Sequence, residues 1–237
     1  MFERLRSVFT RGATSAADRS IATATQLSQW AKGQGWSFAF QGEPAQFHLG
    51  GVAAGQPWRM ESGAPTRDYI HGTELRARAD LRVAPEVALM VISRSLKEEL
   101  EGRVYGAITD TMQTAVDDSL PQEMRWLAIY EELRWPELPT SFSRLFAVVG
   151  DRTDDAQRWV NAAVVSHLLM ERVPAERVQA PLLLMLGDGK VALRMQTTAR
   201  HLPDLQYATA LLTTAAAVAA QNLPLCGDSQ PDTLPPG

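Results

Sequence analysis

Four arginines, Arg59, Arg67, Arg76 and Arg78, fall in one short stretch of the chain. A guanidinium is planar, always charged, and able to grip a carboxylate or phosphate through two parallel hydrogen bonds. Residues two apart on a strand share a face, so Arg76 and Arg78 point the same way. A hairpin can bring Arg59 beside them, with Arg67 in the connecting turn. This cluster is the candidate site for an anionic small molecule. Glu61, Asp68, Glu74 and Asp80 lie in the same stretch, and from Arg59 to Arg82 five arginines meet four acids. The competing reading is therefore a ladder of cross-strand ion pairs on a solvated face.

Tryptophan supplies the second set of candidates. Six tryptophans stand in a chain that is only 7% aromatic, and Trp and Arg are the residues most enriched at interface hot spots. Trp135, between Arg134 and Pro136, sits in a loop and is the foremost candidate for recognising a partner, followed by Trp126 and Tyr130 on the preceding helix. Trp36 and Trp58 alternate with polar neighbours and read as core.

Other chemistry is poorly represented. His48, His71, His167 and His201 have no ligand spacing, so no metal is expected. There is no phosphate-binding glycine loop, dinucleotide fingerprint, zinc-protease motif or nucleophile elbow, and no cofactor is expected. The carboxylate pairs Asp117-Asp118, Glu131-Glu132 and Asp154-Asp155 are adjacent in sequence, and neighbours on a helix diverge by about 100°. They read as solvated faces or helix starts. Residues 110–155 hold ten acids against four bases, an acidic stretch that could meet a basic partner. Cys226 is the only cysteine, so no intrachain disulfide can form and the thiol reads as idle.

The elements that must position these residues follow from periodicity. A helix capped at Thr14 or Ser15 runs to about Lys32 and stops at Gly33 and Gly35. Alternation then marks strands at Trp36–Phe40, Phe47–Leu49, Trp58–Glu61 and Tyr69–Asp80, with breaks at Gly50-Gly51 and Ser62–Pro65. This is an antiparallel meander with one wet face and one buried face. Val87–Ile92 is an apolar run, followed by a helix from Ser93 with Leu96, Leu100 and Val104 on one face, continuing through 108–116. A capping signal at 119–122 opens a helix from Glu123 to Leu133, broken by Pro136 and Pro139. Ser143–Val149 reads as a strand and 151–172 as one helix. Pro181–Leu186 and Lys190–Met195 flank Gly187-Asp188-Gly189, a hairpin signal. Pro203 opens an alanine-rich last helix.

The fold class that results is α+β, an antiparallel sheet of hairpins and meander with helices packed on it in two layers. Residues 1–13 read as a basic amphipathic arm and 14–223 as one domain. A two-half organisation, 14–118 and 119–223, is also compatible with the pattern. The end, 224–237, reads as a disordered tail. The order of helix, meander and helix is similar to that of secretion-chaperone-like modules, without a shared motif.

The chain has 237 residues, a formal net charge of −4 and 45% hydrophobic residues. That is enough apolar surface for a core without staples, and the charge gives no global basic field for nucleic acid. Twenty arginines against three lysines, with abundant alanine, suggest a bacterial gene. The start lacks the apolar core of a secretory signal, so a cytoplasmic location is expected. Phe2, Arg4, Leu5, Arg6 and Phe9 could place the arm on an anionic membrane surface. The absence of catalytic signatures points to a non-enzymatic protein-interaction module, adaptor or chaperone-like. Its partner would be another protein or a second copy in a homodimer. An anion-binding domain or enzyme using the arginine cluster is the alternative.

Overall fold

The computed structural model describes residues 21–42, 46–111, 120–170 and 180–226, and for 107–111 the backbone only. The amphipathic arm, the start of the first expected helix and residues 227–237 lie outside that set. The described residues form an α+β fold with seven helices and a nine-stranded antiparallel sheet. The strands are β1 (Ser37–Gly42), β2 (Gln46–Ala53), β3 (Gln56–Gly63), β4 (Thr73–Asp80), β5 (Leu89–Ser93), β6 (Glu131–Leu133), β7 (Phe146–Gly150), β8 (Leu182–Gly187) and β9 (Lys190–Thr197). Their spatial order is β1-β2-β3-β4-β9-β8-β5-β7-β6. The meander therefore continues into the late hairpin, with β4 pairing β9 along eight residues.

The helices are α1 (Ala24–Gly33), α2 (Arg94–Thr111), α3 (Gln122–Ile129), α4 (Thr140–Leu145), α5 (Thr153–Trp159), α6 (Ala162–Leu169) and α7 (Leu202–Asn222). One sheet face carries Leu49, Met60, Leu75, Leu89, Val148, Leu184 and Leu193, buried beneath α7 with α1, α5 and α6 around it. Alanines of α7 (Ala208, Ala215, Ala216, Ala219) are fully buried, which lets that helix lie close to the strands. Alternation sends Met90, Ile92, Ala147, Val149, Leu183 and Met185 to the other face. There they meet Leu96, Leu100 and Val104 of α2 and Met124 of α3. Among the described residues, helices cover that second face over β8, β5 and β7.

The cross-strand rows explain the difference. One row runs His48, Glu61, Arg76, Arg194 and then Leu183, Ile92, Ala147. The same face is thus charged over the meander and apolar under α2 and α3, and the change falls between β9 and β8.

Several local expectations are corrected. Among the described residues the first helix begins at Ala24, because Thr23 and Gln26 form a reciprocal capping box, so the expected helix does not run unbroken to Lys32. Gly50-Gly51 lies inside β2 rather than breaking it. A Cβ at Gly51 would sit 2.6 Å from the Trp36 ring, so glycine there admits the T-shaped Trp30–Trp36–Trp58 stack. The turn instead falls at Ala54-Gly55, where φ is positive at both residues, the pattern of a two-residue hairpin loop. Tyr69 and Ile70 precede β4 and pack toward α2 and α3. The helix expected to reach Leu133 stops at Ile129. Its cap Tyr130 is extended, and Glu131–Leu133 pairs with β7. The start of the expected strand at Ser143 is helical, in α4. The helix expected over 151–172 is two helices, because Asn161 turns its side chain to cap Ala163 and Val164 of α6.

Candidate functional site

β3 and β4 place Arg59 directly across from Arg78, and Glu61 across from Arg76. Arg67 is in the loop between these strands. The structure therefore brings Arg59, Arg76 and Arg78 onto one open face, and most of their charge is already matched. Arg76 lies 3.6 Å from Glu61 and 3.4 Å from Glu74. Arg78 Nε lies 3.2 Å from Asp80, and its Nη2 donates to the same carboxylate at 3.4 Å. Arg67 turns away to α3, where its Nε donates to Glu123. Arg59 is exposed and has no ion pair among the described residues.

Residues not singled out from sequence complete this network. Glu74 is fully buried. Its carboxylate accepts from the Thr66 backbone N–H at 2.7 Å, the Thr66 hydroxyl at 2.9 Å and Arg194 of β9. Arg194 also donates to Thr66 Oγ1 at 2.8 Å. Glu123, 1% exposed, accepts from Arg67 and, at 2.7 Å, from the Tyr69 hydroxyl. Burial alone would raise the Glu123 carboxyl, but hydrogen bonds from Arg67 and Tyr69, and the Arg67 charge, hold it below the ordinary range. Burial, reinforced by the Glu123 charge, pushes the Tyr69 hydroxyl well upward. Glu74 and Glu123 are thus acceptors with their donors in place at the seam between the open and covered parts of the sheet.

A second hub fixes β6. Glu132 accepts from Arg94 at 3.0 Å and Arg134 at 2.9 Å, and Lys97 lies 3.3 Å away. Burial opposes ionisation, but the hydrogen bonds from Arg94 and Arg134 and the charges of Arg94 and Lys97 bring its carboxyl down to about 2. Two acids of the acidic stretch, Glu123 and Glu132, are therefore internal partners of cations. Among the described residues no group of three His, Cys, Asp or Glu could hold a metal ion, and no helix is long and apolar enough to cross a membrane.

The aromatic candidates separate. Trp126 and Tyr130 stack edge-on with centroids 6.0 Å apart and pack on the α2–α3 cluster. Trp135 packs against the other apolar cluster. Two prolines shape its loop. Pro136 follows Trp135 in a turn closed by Leu138 N–H donating to Trp135 O at 3.2 Å, and Pro139 caps α4. Opposite stands the α5–α6 junction at Val160 and Asn161. Between them opens a cleft of about 520 Å³, lined by Trp135, Leu138, Pro139, Val160, Asn161 and Val165 among others. The volume is in the range of small-molecule and side-chain pockets, roughly 300–1,000 Å³. Its charged lining residue is Glu137, and Gln157, Asn161 and Ser166 add amide and hydroxyl groups.

Fold and sites together define an α+β protein with a nine-stranded antiparallel sheet, buried carboxylates paired with arginines, and an apolar cleft beside an edge strand. No protein-family model matches the chain, and neither does any curated protein. Among solved structures it is similar to the mycobacterial trehalose monomycolate transport factor A, TtfA. That match has 11% identity and a TM-score of 0.45, over 85% of this chain and 96% of the other. Likeness at that level says nothing about shared function.

Proposed function

We propose that this chain is a non-enzymatic protein-interaction module that receives an extended peptide segment in the cleft at Trp135. The observation that supports this reading is the cleft itself, with a half-buried tryptophan and proline on one wall and Val160 and Val165 on the other. Aromatic-lined grooves with a few amide donors suit extended, proline- or leucine-anchored segments. Glu137 at the rim favours a lysine or arginine beside the anchor. The buried Glu74 and Glu123 argue the same way, since both are held by arginine, threonine or tyrosine donors.

A photoreactive residue at Leu138, with one at exposed Val52 as control, tests the reading in the native host. Cross-linking at position 138 alone, to an extended segment bearing Leu or Pro with a Lys or Arg beside it, supports it. Equal labelling from both positions, or only lipid or small-molecule adducts at position 138, overturns it.

One observation favours a second reading. Arg59 and Arg78 stand directly opposed; Asp80 partners Arg78, while Arg59 has no ion pair among the described residues, and like charges so placed repel, which leaves room for a bound anion. Inorganic phosphate binding that is abolished by Arg59→Ala and Arg78→Ala would support an anion site there. Binding unchanged in those variants would remove it.

A further inference from the structure

We infer that β1 is the self-association edge of this protein, pairing antiparallel with β1 of a second copy. Among the described residues, nothing pairs with its outer side. Open edges normally carry charge, proline or an early stop that discourages pairing. The opposite edge, β6, shows such devices: it has three residues, two of them glutamates, and Arg134 follows. β1 has none. Ser37-Phe38-Ala39-Phe40-Gln41 is uncharged and free of proline.

The strand also has an unfinished apolar face. Phe38 and Phe40 pair with Leu49 and Phe47, two buried core residues, so they lie on the side covered by α1 and α7. Phe38 packs against that core, with its ring 5.8 Å from Phe47. Phe40 is left 39% exposed.

A second copy fits this edge because the edge is complementary to itself. The regular ladder runs from Ser37 to Phe40, and the register shifts before Gly42, where φ is +113°. A two-fold axis through the middle of 37–41 passes at Ala39. In that register Ala39 meets the partner's Ala39, and Ser37 meets the partner's Gln41. Phe40 covers the partner's Phe38 and the reverse. Small neutral groups meet on the open face and aromatic rings on the core side, with no like charges opposed. An isologous contact of this kind closes at two copies. One strand edge buries less than the roughly 800 Å² per partner of a standard interface, so the dimer is weak and concentration-dependent. It is independent of the Trp135 cleft.

Sedimentation of the full chain over a roughly hundredfold concentration range tests this. Wild type is expected to dimerise. Phe40→Lys and Phe40→Ser, each checked for an unchanged circular-dichroism melt, are expected to weaken the dimer by about tenfold or more. In a Cys226→Ser background, Ala39→Cys is expected to form an intermolecular disulfide, because directly opposed strand residues lie about 4.5–5.5 Å apart, within disulfide reach. Val52→Cys, exposed on β2 away from the edge, is not. A wild type that stays monomeric, a dimer indifferent to both Phe40 variants, or equal cross-linking at 39 and 52 would overturn the assignment.

Discussion

Arg67→Ala removes the cation that neutralises Glu123 while leaving that carboxylate 1% exposed. Stranding one half of a buried ion pair costs about 3–5 kcal/mol. Two features of the site pull the figure toward the lower end. The Tyr69 hydroxyl still donates to Glu123, and an unpaired buried carboxyl can take up a proton. We expect a loss of about 3 kcal/mol at neutral pH, measured by urea unfolding followed by circular dichroism. Arg59→Ala, on an exposed side chain with no ion pair among the described residues, should cost no more than about 0.5 kcal/mol. The pH dependence is the sharper readout. Without Arg67, burial raises the folded-state pKa of Glu123 above its unfolded value. The neutral form then suits the fold, so the deficit relative to wild type shrinks as pH is lowered from 7 toward 5. Adding Glu123→Gln to Arg67→Ala should recover about 1 kcal/mol or more, because the stranded charge is gone. A deficit below about 0.5 kcal/mol, flat in pH and unrelieved in the double variant, would refute the reasoning.

Three further outcomes are expected. Glu123 and Glu132 have folded-state pKa values below the ordinary 4.5, so the unfolded chain binds more protons in acid. Stability should be fully present above about pH 5 and fall as pH drops, down to about 2 for Glu132; Glu132→Gln should flatten the lower part of that decline in acid-unfolding curves. At Gly150 a Cβ would meet Ala88 O and the Leu89 side chain at 2.7 Å, so Gly150→Ala should cost about 1–3 kcal/mol in thermal or urea unfolding. Asn161→Ala removes the cap of α6 and should cost about 1 kcal/mol. Because Asn161 also lines the cleft, the same change should weaken peptide binding in a fluorescence titration.

The parts of the fold readable in sequence are those set by neighbours in the chain. The Asp188-Gly189 turn, with φ of 51° and 68°, was announced by its residue types, and the alternation of β3 and β4 placed Arg76 and Arg78 on one face. Pro203 opens α7 as its missing N–H allows. What stayed hidden depends on distant pairing. Glu74 visibly shared a face with Arg76, but its partner Arg194 is 120 residues away. Nothing local says that β9 lies beside β4. Glu123 looked like a helix-start acid until the fold set Arg67 and Tyr69, more than fifty residues earlier, against it. Tyr130–Leu133 kept a helical composition, and pairing with β7 overrode it. Trp135 was legible as an isolated loop aromatic, whereas the facing wall at Val160 and Val165 exists only because Asn161 divides one apolar stretch into two helices.

The cleft reading is tested most directly by affinity. The peptide segment cross-linked at position 138 would be synthesised and titrated, by calorimetry, into the wild-type chain and into Trp135→Ala. A hot-spot tryptophan is worth about 2 kcal/mol or more, so binding should weaken by about thirtyfold or more with the melt little changed, while Arg59→Ala should bind as wild type does. Equal affinity of wild type and Trp135→Ala, both folded, would contradict the proposal that this cleft is where the protein meets its partner.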